Sequence, residues 1–384
     1  MLFYQLSREI NTAVFQQSTT NKNQPTIPLF QNKICCYNNG MKFGPIPIAQ
    51  AAGKILGHNI ADKNGRRVFR KGRELSPEDI GVLAELGRTE VYVAELSPMD
   101  VEENEAAQRV TDAVMGHGLS YVGPATGRVN LKSEVLGVLR VDANRLHRLN
   151  SQLGITLATL PTNTAVSVGK TVGTVKVIPF AVSETAVMAV ETIAQEGRAI
   201  IRVDMLPYKP VSVILSGSPA TKARILKSFQ PPLEQRVDAL GSTINHFQFI
   251  PLEDEAGEIA LAQAIREQID AGAGMIILAG DTAIMDRHDI APRAVERAGG
   301  VVTCFGAPVD PGNLLMLAYS GNIPILGAPG CVRSPKQNIV DKVLPRLLVG
   351  DHLTQSDIVA LGHGGLLEDV VERPYPRGKL ERDA

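Results

Sequence analysis

Three short apolar runs, Met275–Leu278, Val301–Phe305 and Ile323–Leu326, each end in a glycine-containing turn. Runs of four or five apolar residues, bounded by Gly and Pro and separated by helical or loop stretches, are what strands buried on both faces look like. Such strands need helices packed on each side of their sheet, which restricts the C-terminal half to a layered α/β arrangement. In open sheets of that kind, ligands bind outside the carboxyl ends of the strands. The turns Gly280-Asp281-Thr282, Asp310-Pro311-Gly312-Asn313 and Gly327-Ala328-Pro329-Gly330 are therefore expected to converge on one crevice, with Asp289, Arg333 and Lys336 beside it. Taken singly, each turn has a plainer reading, since Gly and Pro mark tight turns everywhere.

The same rhythm begins upstream, after Pro207-Tyr208-Lys209-Pro210, which reads as a linker. Val211–Leu215 is a predicted strand, Ser216-Gly217-Ser218 a turn, and Pro219 the opening of a helix through Phe229. Small residues between a strand end and a helix start make Gly217 a candidate anion contact. A separate helix is expected over Pro232–Gly241, and Ile244–Pro251 includes a strand. Residues 258–271 form a helix with Ile259, Ala262, Ile265 and Ile269 on one face, and Ser334–Leu348 is the last strong helix. This alternation predicts a mostly parallel sheet covered on both faces.

The first half has a different texture. Residues 1–40 are rich in Asn, Gln and Thr without a sustained apolar period, and read as an unstructured extension. Residues 41–205 read as a smaller α+β region, 206–350 as the ligand-binding domain and 351–384 as a tail. Ser76-Pro77-Glu78-Asp79 is a strong helix start: a hydroxyl cap, Pro at the first helical position, then acids facing the positive end of the helix dipole. Arg66, Arg67, Arg70, Lys71 and Arg73 read as a solvated rim. Nothing in 100–205 has catalytic spacing, so this stretch reads as scaffold or dimerisation surface.

Composition narrows the functional classes. The net charge is -1 and aromatic residues make up 4% of the chain, with no Trp, which argues against nucleic acid as a partner. No apolar run approaches the ~20 residues of a membrane span. Cys35, Cys36, Cys304 and Cys331 form no CxxC pair, which points to a reducing compartment and a cytoplasmic protein. Cys304 lies in an apolar run and reads as core. Cys331 has no nearby His, which speaks against a nucleophile.

The segments AGDTAIMDRHDIAP, VDPGNLLML and GAPGCVRSPK, in that order, resemble the molybdopterin-binding domain of molybdopterin molybdotransferases and of the gephyrin E region. The resemblance covers roughly residues 205–350 and implies a three-layer αβα molybdopterin-binding domain. The stretch GRRVFRKGRELSPEDIGVLAELGRTEVYV also resembles part of the molybdotransferase N-terminal half. Residues 100–200 do not share that enzyme's usual plan. By resemblance, Gly280 and Thr282 belong to the loop that holds the pterin phosphate, and Asp289 to the acid after it, a candidate catalytic residue and Mg²⁺ ligand. Asp254 or Glu255 stands for a second family acid, and of the two we take Asp254. Gly312 belongs to the Pro-Gly turn and Gly330 to the Gly-x-Pro-Gly turn. Asp310, Asn313, Arg333, Ser334 and Lys336 complete the candidate ligand-binding set with Gly217. Backbone N–H groups in such turns can surround a phosphate, and Mg²⁺ takes oxygen ligands.

The sequence also departs from the family pattern. Asp281 replaces the second loop Gly, Asp310 and Asn313 replace basic residues flanking the Pro-Gly turn, and Ser218-Pro219 replaces an Asp-Glu pair. The family's Asn-Ser-Ala-Met-Asp-Gly-Tyr-Ala segment is absent. These departures weigh more against molybdate insertion than against pterin binding. Two readings are open: Mg²⁺-dependent insertion of molybdate into adenylylated molybdopterin with AMP release, or a non-catalytic carrier of molybdopterin or its nucleotide form. The carrier would serve a partner enzyme of cofactor biosynthesis or a molybdoenzyme. The family's dimers and trimers imply a homo-oligomer.

Overall fold

The computed structural model describes residues 35–36, 40–252, 254–281 and 284–367. Most of the expected 1–40 extension, Thr282, and residues 368–384 of the expected tail lie outside the described residues. The chain divides into two compact units, Met1–Pro98 and Met99–Ala384. That boundary falls inside the stretch read as one 41–205 region.

In the first unit, β1 (Lys42–Pro47) and β2 (Ile55–Leu56) both pair antiparallel with β3 (Glu90–Glu95). Helix α1 (Pro77–Glu85) starts where the sequence signals it: the Ser76 hydroxyl accepts from the Asp79 amide, and the Asp79 carboxylate accepts from the Ser76 amide. Leu56, Phe69, Leu75, Leu83, Val91 and Val93 form its small core.

The second unit begins with α2 (Glu103–Val114), β4 (Leu119–Ala125), β5 (Arg128–Ser133), β6 (Gly137–Val141) and α3 (Ala143–Asn150). It continues through β7 (Ile155–Thr159), β8 (Ala165–Val166), β9 (Thr171–Val177), α4 (Glu184–Gln195) and β10 (Ile201–Met205). These strands form an antiparallel sheet in the order β7-β9-β5-β4 and a second in the order β8-β6-β10. Their shared core includes Val110, Leu131, Leu157, Val175 and Val190. Arg140 of β6 donates to Asp204 at 2.8 Å and, from its other end, to Asp351 at 2.7 Å, well beyond this module in sequence. Val138 and Leu206 pack into the core of the principal sheet, which is why residues 99–205 form one unit with the C-terminal half.

The principal sheet has six strands: β11 (Pro210–Gly217), β12 (Thr243–Pro251), β13 (Met275–Gly280), β14 (Val301–Phe305), β15 (Met316–Ser320) and β16 (Ile323–Gly327). Their order is β12-β11-β13-β16-β15-β14. The first four in that order are parallel; β15 runs against them, and β14, antiparallel to β15, runs in the same direction as the parallel set. Alternate residues go to alternate faces. Val211, Val213, Leu215, Met275 and Ile277 pack with Phe229 and Leu233 of α5 (Lys222–Asp238) and with Val343 and Leu347 of α8 (Ile339–Val349). Ile214, Ile276 and Leu278 face the other way, onto Leu261 and Ile265 of α6 (Glu255–Asp270) and Val295 of α7 (Ile290–Arg297). The result is helix layer, mixed sheet, helix layer. No helix among the described residues is long and apolar enough to cross a membrane.

Three expectations are corrected. Val301–Phe305 keeps the direction of the parallel strands but lies at the sheet edge and joins it through an antiparallel ladder, because the unforeseen strand β15 folds back through Gly321 and inserts between it and the parallel set. Helix α5 runs unbroken through Pro231 and Pro232, where a break between two helices was expected. Pro231 is exposed and Pro232 half-buried, so neither ring sits in the core face that Phe229, Leu233 and Val237 supply. The helix read as starting at Ser334 begins at Ile339, because Asn338 caps it and residues 330–338 serve as a loop, and a further short helix follows at Gln355–Val359.

Candidate functional site

Parallel strands β11, β13 and β16 end side by side, and their carboxyl ends carry the turns singled out in the sequence. The Asp281 amide donates to the Ser216 carbonyl at 3.2 Å, and the Ala328 amide to the Leu278 carbonyl at 2.8 Å. A Cβ on Gly280 would stand 2.1 Å from the Ser216 carbonyl oxygen, so the closeness of these two strand ends demands glycine. Asp281, which stands where a phosphate loop favours glycine, is ion-paired at 2.6 Å to Arg224 near the start of α5.

Beside these ends lies a cleft of about 370 Å³, walled by residues 310–314 on one side and by residues 329–331, Arg333, Ser334 and residues 336–338 on the other. Seven candidate residues share it: Asp310, Gly312, Asn313, Gly330, Arg333, Ser334 and Lys336. Gly217 and Gly280 do not line it; they belong to the adjoining strand ends. Each wall is fixed from behind. Gly312 has φ +142°, and a Cβ there would lie 2.3 Å from Ile339 Cγ2, so the turn sits directly on the start of α8. The Ile339 amide donates to the Pro311 carbonyl at 3.1 Å. Arg333 donates through Nε to the Gly330 carbonyl at 3.0 Å, and its guanidinium lies 5.3 Å from the centre of the buried Phe229 ring. Arg333 and Lys336 bring cationic side chains to this wall, which favours an anionic ligand.

The strongest support for the second wall was not legible in the sequence. Arg236, near the end of α5, has a side chain only 9% exposed and fills its hydrogen-bonding capacity. Nε donates to Asp341 Oδ1 at 2.9 Å, and Nη1 to the carbonyls of Pro232 and Val332, each at 3.1 Å. Nη2 donates to the carbonyls of Ser334 at 2.8 Å and Lys336 at 3.1 Å. Asp341 in turn accepts from the Asn338 amide at 2.8 Å, closing the cap of α8. Nothing in the spacing of an arginine late in an amphipathic helix announces this role.

The acids singled out from the resemblance are occupied locally. Asp289 Oδ2 accepts from the amides of Met285 at 2.6 Å and Asp286 at 2.9 Å, clasping its own turn ahead of α7. Asp254 Oδ1 caps α6 by accepting from the Gly257 amide at 2.9 Å. Among the described residues, no group of three or more His, Cys, Asp or Glu side chains converges on a point where a metal ion would sit. A Mg²⁺ ion at Asp289 would therefore draw most of its oxygen ligands from a bound phosphate and from water, a mode this ion commonly adopts. His288 bonds through Nδ1 to Asp286 at 2.9 Å, and Cys304 is a core residue whose thiol pKa is raised by burial.

Fold and cleft together define a layered α/β domain with a polar, anion-compatible cleft at the carboxyl end of its sheet. Residues 45–95 match a family model described as a domain of unknown function (DUF8806). No curated protein matches the chain. Among solved structures, the chain is similar at 10% identity to a molybdenum cofactor biosynthesis protein from Pyrococcus furiosus, with a TM-score of 0.21. That match covers 83% of this chain and 65% of the other, so the chain spans less than two thirds of that protein's length.

Proposed function

We propose that the cleft between residues 310–314 and 329–338 binds a small phosphate-bearing ligand, and that this ligand is molybdopterin or its nucleotide form. The observation that carries the proposal is the gathering of seven candidate residues from two separated motifs around one cleft, with Arg333 and Lys336 in its wall. Anion recognition there is favoured by charge and donor geometry. The choice of a pterin rests on the order and wording of the motifs. Of the two functional readings, the carrier has the better support. Asp289 and Asp254 spend carboxylate oxygens on their own backbone, and Asp281 is neutralised by Arg224. In this reading the protein is a cytoplasmic homo-oligomer that hands its ligand to a partner enzyme.

The test is to incubate the full chain with adenylylated molybdopterin and Mg²⁺, with and without molybdate, measuring both binding and AMP release. Stoichiometric binding without AMP release is expected. Molybdate-dependent release over many turnovers would instead make the protein the insertion enzyme, with Asp289 the first residue to replace. Absence of binding would overturn the proposal.

A further inference from the structure

Arg236 lies behind the cleft and does not line it, yet three of the carbonyls it holds, those of Val332, Ser334 and Lys336, belong to the loop that carries Arg333, Ser334 and Lys336. Alternate peptide groups thus point their oxygens inward at one guanidinium. In a trans peptide the nitrogen side of each unit faces the opposite way, so the positive ends of these dipoles are turned from Arg236. The guanidinium charge is balanced by Asp341, whose Oδ2 also accepts from the Asn338 amide. Loop, helix cap and α5 are therefore locked through one side chain. Only a planar guanidinium, with five N–H groups in a fixed fork, can serve this many acceptors at once.

We infer that Arg236 is the positioning residue of an oxyanion site in the 330–338 loop, and that the ligand end received there is a phosphate group held by Arg333 and Lys336. This rests on the cleft being the ligand site. Arg236 contributes by fixing the loop in its binding form before the ligand arrives, which removes an ordering cost from binding. Arg346 of α8 is a control of the same kind. Its side chain is also largely buried, bonding Asp351 at 2.9 Å and Asp357 at 3.0 Å, but neither bond reaches the 330–338 loop.

The experiment measures pyrophosphate binding by calorimetry to the full chain, to Arg236→Lys, to Arg236→Gln and to Arg346→Lys, over a range of salt. Arg236→Lys should weaken binding by about tenfold or more while Arg346→Lys does not, since small displacements of positioning groups carry penalties of that order. The dependence of affinity on salt should be the same for Arg236→Gln, which removes the charge, as for the unaltered chain, because the cations facing the ligand are unchanged. A lost increment of salt dependence would make Arg236 a direct contact and overturn the positioning role. Equal losses in both variants would reduce it to general stability and also overturn it. Should Arg236→Lys fail to fold, hydrogen exchange decides in Asp341→Asn, which removes the charge partner that orients the guanidinium and so loosens its hold on the loop carbonyls. Faster exchange of the loop amides together with weakened binding upholds the assignment, and unchanged exchange and binding overturn it. If the unaltered chain binds no pyrophosphate, the cleft itself is not a phosphate site and the proposed function fails with it. If the chain binds and Arg236→Lys binds equally well, only the positioning role fails.

Discussion

Two stretches that carry motif residues are held in opposite ways. The loop over residues 330–338 rests on a largely buried guanidinium, a buried phenyl ring and the capped start of α8. The segment 284–289 is largely exposed: Ile284 anchors one end in the core, Arg287 pairs with Glu296, and the rest is held by short-range bonds, Asp289 to the amides of Met285 and Asp286, and Asp286 to His288. Both stretches combine glycine or tight turns with charge, and on sequence they look alike. The difference lies beneath them. A loop gains a fixed shape from what it packs on, and a segment anchored mainly at one end and closed mostly by short-range bonds opens at lower cost. The first is suited to recognise a ligand of fixed geometry, and the second to adapt to one.

The contrast can be broken most forcefully at Phe229. Its ring is fully buried beneath Arg333, and Phe229→Ala should lower the unfolding free energy by about 3–5 kcal/mol, read from urea denaturation. A loss below about 1 kcal/mol would mean that the loop does not depend on this floor. Gly312→Ala comes next. A positive φ and the contact with Ile339 should make it destabilising by about 1–3 kcal/mol, with a parallel drop in ligand affinity. Full affinity in that variant would remove the 310–313 turn from the site.

Asp289→Ala should cost less, about 1 kcal/mol, and locally. The amides of Met285 and Asp286 should exchange faster while the urea midpoint barely moves, and pterin binding should persist. If replacing Asp289 abolished binding, the exposed segment would have to be as much a part of recognition as the loop. Acid should have the smallest effect near neutrality. In Asp357, burial pushes the carboxyl pKa up, but bonds from the Thr354 amide and hydroxyl and from Arg346 outweigh it and hold it below the usual range. In Asp286, the His288 amide and ring lower it likewise. Folded values below the unfolded one mean stability that is present above about pH 4 and lost as pH falls through the folded values. Thermal midpoints should therefore be flat on their account from pH 8 to about pH 5 and fall below about pH 4. A decline already near pH 6 would point to histidine instead.

Much of the layered domain was legible because Met275–Leu278 and Ile323–Leu326 announce burial on both faces, and because Ser76 announces a helix start. What was not legible depended on pairing partners. The apolar run 301–305 carries no mark that tells an inner strand from one at the edge, nor that its neighbour would be an antiparallel one; that is decided by the hairpin through Gly321. The proline pair lies within α5 off its core face, a placement that sequence does not display. Within the site, residues 310–313 and 330–336 could be named from turn chemistry and resemblance. Arg236 could not, since its partners are carbonyls about a hundred positions away, and a carbonyl has no residue signature.

The tie between Arg140 and Asp351 has a consequence for the order in which the chain is made. The two residues are separated by 211 positions, so at ribosomal speeds Arg140 emerges roughly 10–40 s before the partner that completes its bonding. Through that interval the module built from residues 99–205 can close its own core, with Asp204 as the arginine's early carboxylate partner. Its docking face, though, waits for α8. A nascent chain should therefore pass through a stage in which the first half is shaped but unlatched, and arrival of Asp351 is the event that latches it.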